Sequence, residues 1–208
     1  MSLTSALCPF ILVLLLSACQ NTTITADLTH VPEISEVDKK YANIYQMLEG
    51  KWAGKFYIYK DNERINKDEI DLTELKPEIF HQPGLQLLDS IIVHQEYQSV
   101  TPYFQRVTIT DYYPAQQKTV ISRGVNKIEK GELVCIVIKP DDTVIHKGIL
   151  ESKKTIIWYR SEKRPQRKEY FRETVDADNY RIIGWGYYSG DDPELSPRLW
   201  FKGEYIRE

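Results

Sequence analysis

The sequence predicts an all-β protein, an antiparallel up-and-down barrel of about eight to ten strands with an N-terminal amphipathic helix. Three observations carry this expectation. From Lys51 onward the side-chain pattern changes to a period of two, and strand-like chemistry recurs in ten runs: 51–59, 91–98, 103–112, 118–123, 133–138, 143–150, 155–160, 167–175, 180–188 and 198–206. Most of these runs are separated by short turn clusters, such as Lys139-Pro140-Asp141-Asp142 and Asp176-Ala177-Asp178-Asn179. No second helical pattern of comparable quality follows the first, which argues against βαβ units, and closure into a barrel removes the edges that so long a meander would expose.

The chain begins with a different kind of segment. Residues 1–18 carry no charged side chain, and the apolar run 9–16 is followed by small residues. That run is too short for a permanent membrane-spanning helix and reads as an export signal. Leu16-Ser17-Ala18-Cys19 resembles the bacterial lipobox. The resemblance implies that Cys19 is acylated, that residues 1–18 are removed, and that the chain is held in the cell envelope by its lipid, each buried methylene adding ~0.8 kcal/mol. Gln20, where an Asp would signal retention at the inner membrane, points by the same resemblance to the outer membrane, facing the periplasm. Residues 19–34 then form a polar tether, and 35–208 the barrel domain.

Within that domain, Ser35-Glu36-Val37-Asp38 has the form of a capping box with Asp in the Glu place. Val37, Tyr41, Ile44, Tyr45 and Leu48 recur on one helical face, and Gly50 stops it. The exception to short connections is 61–88, which contains Leu72, Leu75, Ile79, Phe80 and Leu85. It reads either as a lid over one barrel mouth or as an excursion packing its leucines on the barrel wall. Cys135 lies in the run 133–138 and reads as a buried strand cysteine; with Cys8 removed and Cys19 lipidated, it has no disulfide partner.

Several function classes are excluded or left without support. Lys and Arg number 27 against 30 Asp and Glu, so no positive excess exists to displace counterions from a nucleic acid. No Gly-x-Ser-x-Gly, His-Glu-x-x-His or Cys-x-x-Cys motif appears, so neither a catalytic residue nor a metal site is assigned. His94 and Glu96 share one strand face and His146 lies on another strand, which reads as hydrogen-bonded or solvated histidines. Asp191-Asp192-Pro193-Glu194 reads as a turn. The aromatic residues are more informative, with 14 Tyr, 6 Phe and 4 Trp in the chain. Ile183, Trp185 and Tyr187 share one face of their run, opposite Gly184 and Gly186, and Trp158 and Tyr170 populate neighbouring runs. A barrel lined by these groups would hold an apolar ligand, with Arg106 or Arg172 fixing its polar end; a filled core is the alternative.

Gly50-Lys51-Trp52 after a short helix resembles the Gly-x-Trp signature of the calycin superfamily, which includes the lipocalins. The resemblance implies that Trp52 closes one barrel end and that an Arg of the last strand, Arg207 or Arg198, lies across its ring. More narrowly, Val93-His94-Gln95, Pro102-Tyr103-Phe104-Gln105-Arg106-Val107 and Trp200-Phe201-Lys202-Gly203-Glu204-Tyr205 are similar to blocks of the T-type phycobiliprotein lyases, calycin barrels that bind open-chain tetrapyrroles. His94, Phe104 and Gly184-Trp185-Gly186 depart from that family's Glu, Arg and Asp-Arg-Gly. The expected ligand-binding residues are thus Tyr103, Gln105 and Arg106 of the similar block, with Trp158, Tyr170, Arg172 and Trp185. The expected function is an envelope lipoprotein whose barrel binds a small hydrophobic or tetrapyrrole-like ligand, with no required cofactor, bilin and haem being left open. The alternatives are a filled-barrel interaction module and a bilin lyase-like activity.

Overall fold

A computed structural model describes residues 26–208; the expected export signal and the expected lipidation site, Cys19, lie outside the described residues. Ten strands form one sheet closed on itself: β1 (Gly50–Asp61), β2 (Leu85–Thr101), β3 (Phe104–Tyr113), β4 (Lys118–Glu129), β5 (Glu132–Ile138), β6 (Thr143–Ser152), β7 (Thr155–Lys163), β8 (Gln166–Asp176), β9 (Asn179–Tyr188) and β10 (Leu199–Arg207). Every strand pairs antiparallel with its sequence neighbour, and β1 pairs with β10 from Trp52↔Arg207 to Lys60↔Leu199, which closes the barrel. Each of the ten runs expected from the sequence is a strand. β2 and β4 extend well beyond the runs that predicted them, because Leu85–Leu87 pair with β1 past a bulge at Ile58/Tyr59 and Asn126–Glu129 pair with β5.

The expected amphipathic helix is present only as two 3₁₀ turns, Lys39–Tyr41 and Ile44–Leu48. The break between them is Asn43, which adopts a left-handed conformation (φ 63°) and donates its N–H to the Pro102 carbonyl at 2.8 Å. A tie to the β2–β3 turn thus replaces the helical hydrogen bond. The apolar face survives the change, with Tyr45 and Leu48 buried against the lower end of the barrel and Val37 exposed. One half of the capping box forms, the Asp38 carboxylate accepting from the Ser35 N–H at 2.8 Å, while the Asp38 N–H donates to the Ser35 carbonyl at 3.1 Å and not to its hydroxyl. The carboxylate also accepts from the Gly131 N–H at 2.5 Å, fixing the segment to the β4–β5 turn.

The long connection is the excursion, not the lid. Its Leu75 and Ile79 are buried against Ile183, Trp185, Tyr187 and Trp200 on the outer wall of β9 and β10, with Leu72 and Phe80 packed beside them. Residues 62–84 therefore form a strap across the outside of the barrel. At its start the strap is fastened to the β9–β10 connection: the Arg64 Nε donates to the Ser196 carbonyl at 2.6 Å, the Ser196 N–H donates to the Ile65 carbonyl at 2.7 Å, and the Ile65 N–H donates to the Ser196 hydroxyl at 3.2 Å. Asp191 and Asp192 act as turn residues there, accepting from the N–H groups of Tyr188 and Glu194.

Candidate functional site

The barrel is hollow. A cavity of about 450 Å³ occupies its interior, within the range of small-molecule sites. Its lining is contributed by all ten strands, and no residue of 62–84 takes part. Alternation along each strand decides membership: on β8, Arg167, Glu169, Phe171 and Glu173 face inward, while Tyr170 and Arg172 do not.

The lower end is sealed by aromatic packing. Trp52 is fully buried, its indole N–H donating to the Leu48 carbonyl at 2.8 Å. The Arg207 guanidinium lies 4.1 Å from the Trp52 ring centroid and donates to the Glu49 carbonyl. Between the two expected candidates, Arg207 takes the place across the ring; Arg198 instead pairs with Asp191 at 3.0 Å. Gly50 makes this possible, since its φ of 104° disfavours any other residue and a Cβ would lie 3.1 Å from Arg207 Nη1. Above Trp52 the Tyr180 ring meets it edge-on at 5.5 Å, and Tyr205 lies 5.0 Å from Tyr180.

Away from the ion pairs of the mouth, two carboxyl groups line the cavity: Asp111, which burial raises above the usual carboxylate range, and Glu173. Glu173 accepts from the Trp158 indole N–H at 2.7 Å and from the Tyr180 hydroxyl at 2.9 Å, one bond to each oxygen. Burial raises its pKa to about 7, against the two hydrogen bonds that lower it, and no cation contributes. Cys135 also faces this space, and burial together with the Glu173 charge pushes its thiol far above the ordinary range, which leaves it without thiolate character. Ser122 is almost fully buried in the cavity wall, and its hydroxyl has no protein partner among the described residues.

The upper mouth is charged. Arg160 is nearly inaccessible, its Nε donating to Glu162 at 2.7 Å with Asp142 at 3.6 Å and Glu169 at 3.8 Å. Arg167 pairs with Asp142 at 2.9 Å, and the Tyr188 hydroxyl donates to Glu169 at 2.7 Å. Burial acts to raise the Glu169 carboxyl, but bonds from His146 and Tyr188 and the charges of His146 and Arg160 outweigh it, holding it below the usual carboxylate range. Two interior glutamates four residues apart on one strand face thus differ: the one beside cations stays ionised, while the one among aromatics titrates near neutrality.

The sequence-predicted binding residues divide. Trp158 lines the cavity. Gln105 points inward but lies beneath the cavity, fully buried, donating to the Tyr45 carbonyl at 2.9 Å and accepting from Asn126 at 3.1 Å. Tyr103 packs in the lower cluster of Tyr45, Ile128 and Trp158. Arg106 is exposed on the outer face, and Arg172 pairs there with Glu151 at 2.5 Å. Trp185 and Tyr170 stack on each other at 5.5 Å outside the barrel, where Trp185 donates to the Leu72 carbonyl of the strap at 2.9 Å. The correction has a simple cause, since a two-residue period separates two faces of a strand without saying which is inside. The inner face of β9 is the one with glycines: a Cβ at Gly184 would lie 2.4 Å from Phe171 Cδ1, inside the barrel. His94 contacts Glu208 at 3.4 Å outside, so it shares no site with the inward His146.

Sequence reasoning missed Glu173, Glu169 and Arg160. The available signal was the acidic-aromatic face Glu169, Phe171, Glu173, which is unusual for a solvent-facing row because Phe171 sits at its centre.

No family model matches the chain, and no curated protein matches it. Among solved structures, it is similar to EF1p2_mFAP2b bound to DFHBI, at 11% identity and a TM-score of 0.36, over 81% of this chain and 99% of that one. It is also similar to a redesigned β-barrel, b11L5F_LGL, at 11% identity and a TM-score of 0.35, over 80% of this chain and 96% of that one.

Proposed function

We propose that this chain is an envelope lipoprotein whose barrel binds a small, largely apolar ligand. The observation that carries the binding is the cavity itself: a filled-barrel interaction module would have no use for about 450 Å³ of interior space crossed by a carboxyl and an unpartnered hydroxyl. At ~30 Å³ per water the space corresponds to roughly fifteen waters, or a ligand of one or two fused rings. That size favours such a ligand over a whole tetrapyrrole. The lipid anchor rests on Leu16-Ser17-Ala18-Cys19.

Native mass spectrometry of the purified protein, joined to a Trp-fluorescence screen with fatty acids, haem, bilins and small aromatic compounds, tests the binding. A bound mass or saturable quenching is expected, and silence across the whole screen would overturn it. Metabolic labelling with an alkynyl fatty acid tests the anchor, with label expected on the wild type and lost in Cys19→Ser.

A further inference from the structure

We infer that the interior carboxyl of Glu173 is the polar anchor of the cavity and selects ligands that carry a cationic nitrogen, protonated arylalkyl amines above all. This rests on the reading of the barrel as a ligand carrier and goes on to name the ligand class.

The first support is the way Glu173 is held. Both partners of the carboxylate, the Trp158 indole and the Tyr180 hydroxyl, are neutral donors, so its charge is oriented but not compensated. A structural carboxylate in an interior is ordinarily paired with a cation, because burial of a lone charge is expensive. Among the described residues no cation is placed against Glu173: Lys139 lines the cavity without pairing with it, and the mouth holds Arg160 and Arg167 on the same inner wall. Those two arginines are already engaged by Asp142, Glu162 and Glu169.

The second support is access. Glu173 is surrounded by protein yet not packed out, because it lines the cavity and keeps part of its surface open to it. Each carboxyl oxygen accepts only one bond from the protein and retains capacity for another. The third is the wall around it. Trp158, Phe171 and Tyr180 place aromatic rings about the carboxyl, surfaces that attract a cation through their ring faces while accepting an apolar body. A ligand amine would meet the missing charge at Glu173 and leave its ring system against these side chains.

The test is calorimetric titration at about pH 8.5 with three ligands of one skeleton: 1-naphthylmethylamine, 1-naphthalenemethanol and 1-naphthoate. At that pH the carboxyl, raised to about 7, is ionised, and the arylalkyl amine, whose pKa lies roughly a unit below that of Lys, is still mostly protonated. The amine is expected to bind at least about tenfold more tightly than the alcohol, the gain of a charge-assisted bond, with the acid weakest. In Glu173→Gln the preference should shrink to within about threefold while the alcohol keeps its affinity. An alcohol that binds the wild type as well as the amine overturns the inference but leaves the cavity reading standing. A preference that survives Glu173→Gln also overturns it and transfers selection to Asp111, and tightest binding by naphthoate overturns it and transfers selection to the cations of the lining. Binding of none of the three overturns the inference, while the cavity reading stands or falls on the wider ligand screen.

Discussion

The two faces of β9 bury their side chains by different means. Outward, Ile183, Trp185 and Tyr187 are covered by a strap of the same chain, and the layer is filled: Trp185 is stacked by Tyr170, met edge-on by Tyr187 at 5.6 Å and hydrogen-bonded to Leu72. Inward, Tyr180 and Ile182 give way to Gly184 and Gly186, over which the Phe171 and Tyr188 rings lie, and the space inside that layer is not filled. Burial alone therefore does not mark a binding site. Both faces are dry by the measure of exposure, but only the inner one leaves space with an uncompensated charge in it.

The largest expected effect lies where neither face has room. Trp52→Ala removes a fully buried indole together with its bond to Leu48 and the ring beneath Arg207, and should lower the unfolding free energy by about 3–5 kcal/mol in urea titrations. A loss below about 1 kcal/mol would show that the lower end is not sealed by this residue. Trp185→Ala should be destabilising by about 3 kcal/mol, and the strap over 62–84 should become the first site of limited proteolysis. If the faces are separate, ligand affinity in this variant stays within about threefold of wild type; a lost affinity would break the comparison.

Glu173→Gln acts in the opposite direction, and its sign follows from the raised pKa. Between an ordinary 4.5 and the folded value of about 7, the native state holds more protons than the unfolded chain, so Glu173 makes stability fall as pH rises through this window. A fully dry group with that shift would contribute about 3 kcal/mol of destabilisation at high pH, which solvent in the cavity reduces to about 2 kcal/mol. The variant and the wild type should therefore be nearly equal at pH 4.5 and diverge up to pH 8, with the variant the more stable. Parallel stability curves would show that the carboxyl is not held in a dry interior. The smallest effect is expected for Arg207→Met, about 1–2 kcal/mol, since the methionine keeps the apolar contact with Trp52 and loses the charge over its ring and the bond to the Glu49 carbonyl.

How much of this was legible in the sequence differs from element to element. The ten strands were, because period-two alternation is a local property and the turn clusters between them are local as well. The Trp52 and Arg207 pair was reached through a resemblance, and the barrel places it with a centroid distance of 4.1 Å. The helix over 35–48 was not, since its apolar spacing is sound but Asn43 exchanges the helical bond for one to Pro102, 59 residues away. Trp185, Tyr170, Arg106 and Arg172 were assigned to the inside and lie outside, while Glu173 and Glu169 passed unnoticed on a face that the pattern alone describes as mixed.

The sequence by itself determined the strand runs, the antiparallel order and the expectation of closure with about eight to ten strands, because backbone alternation and short turns allow few other ways to bury these side chains; the structure has ten. Only the tertiary structure decided which face of each strand turned inward. That choice depends on where a 23-residue strap finds an apolar surface to cover, a contact between segments more than a hundred residues apart, and on two glycines that let the Phe171 and Tyr188 rings lie against the inner wall. From that one choice follow a filled outer layer and a hollow interior with Glu173 at its centre.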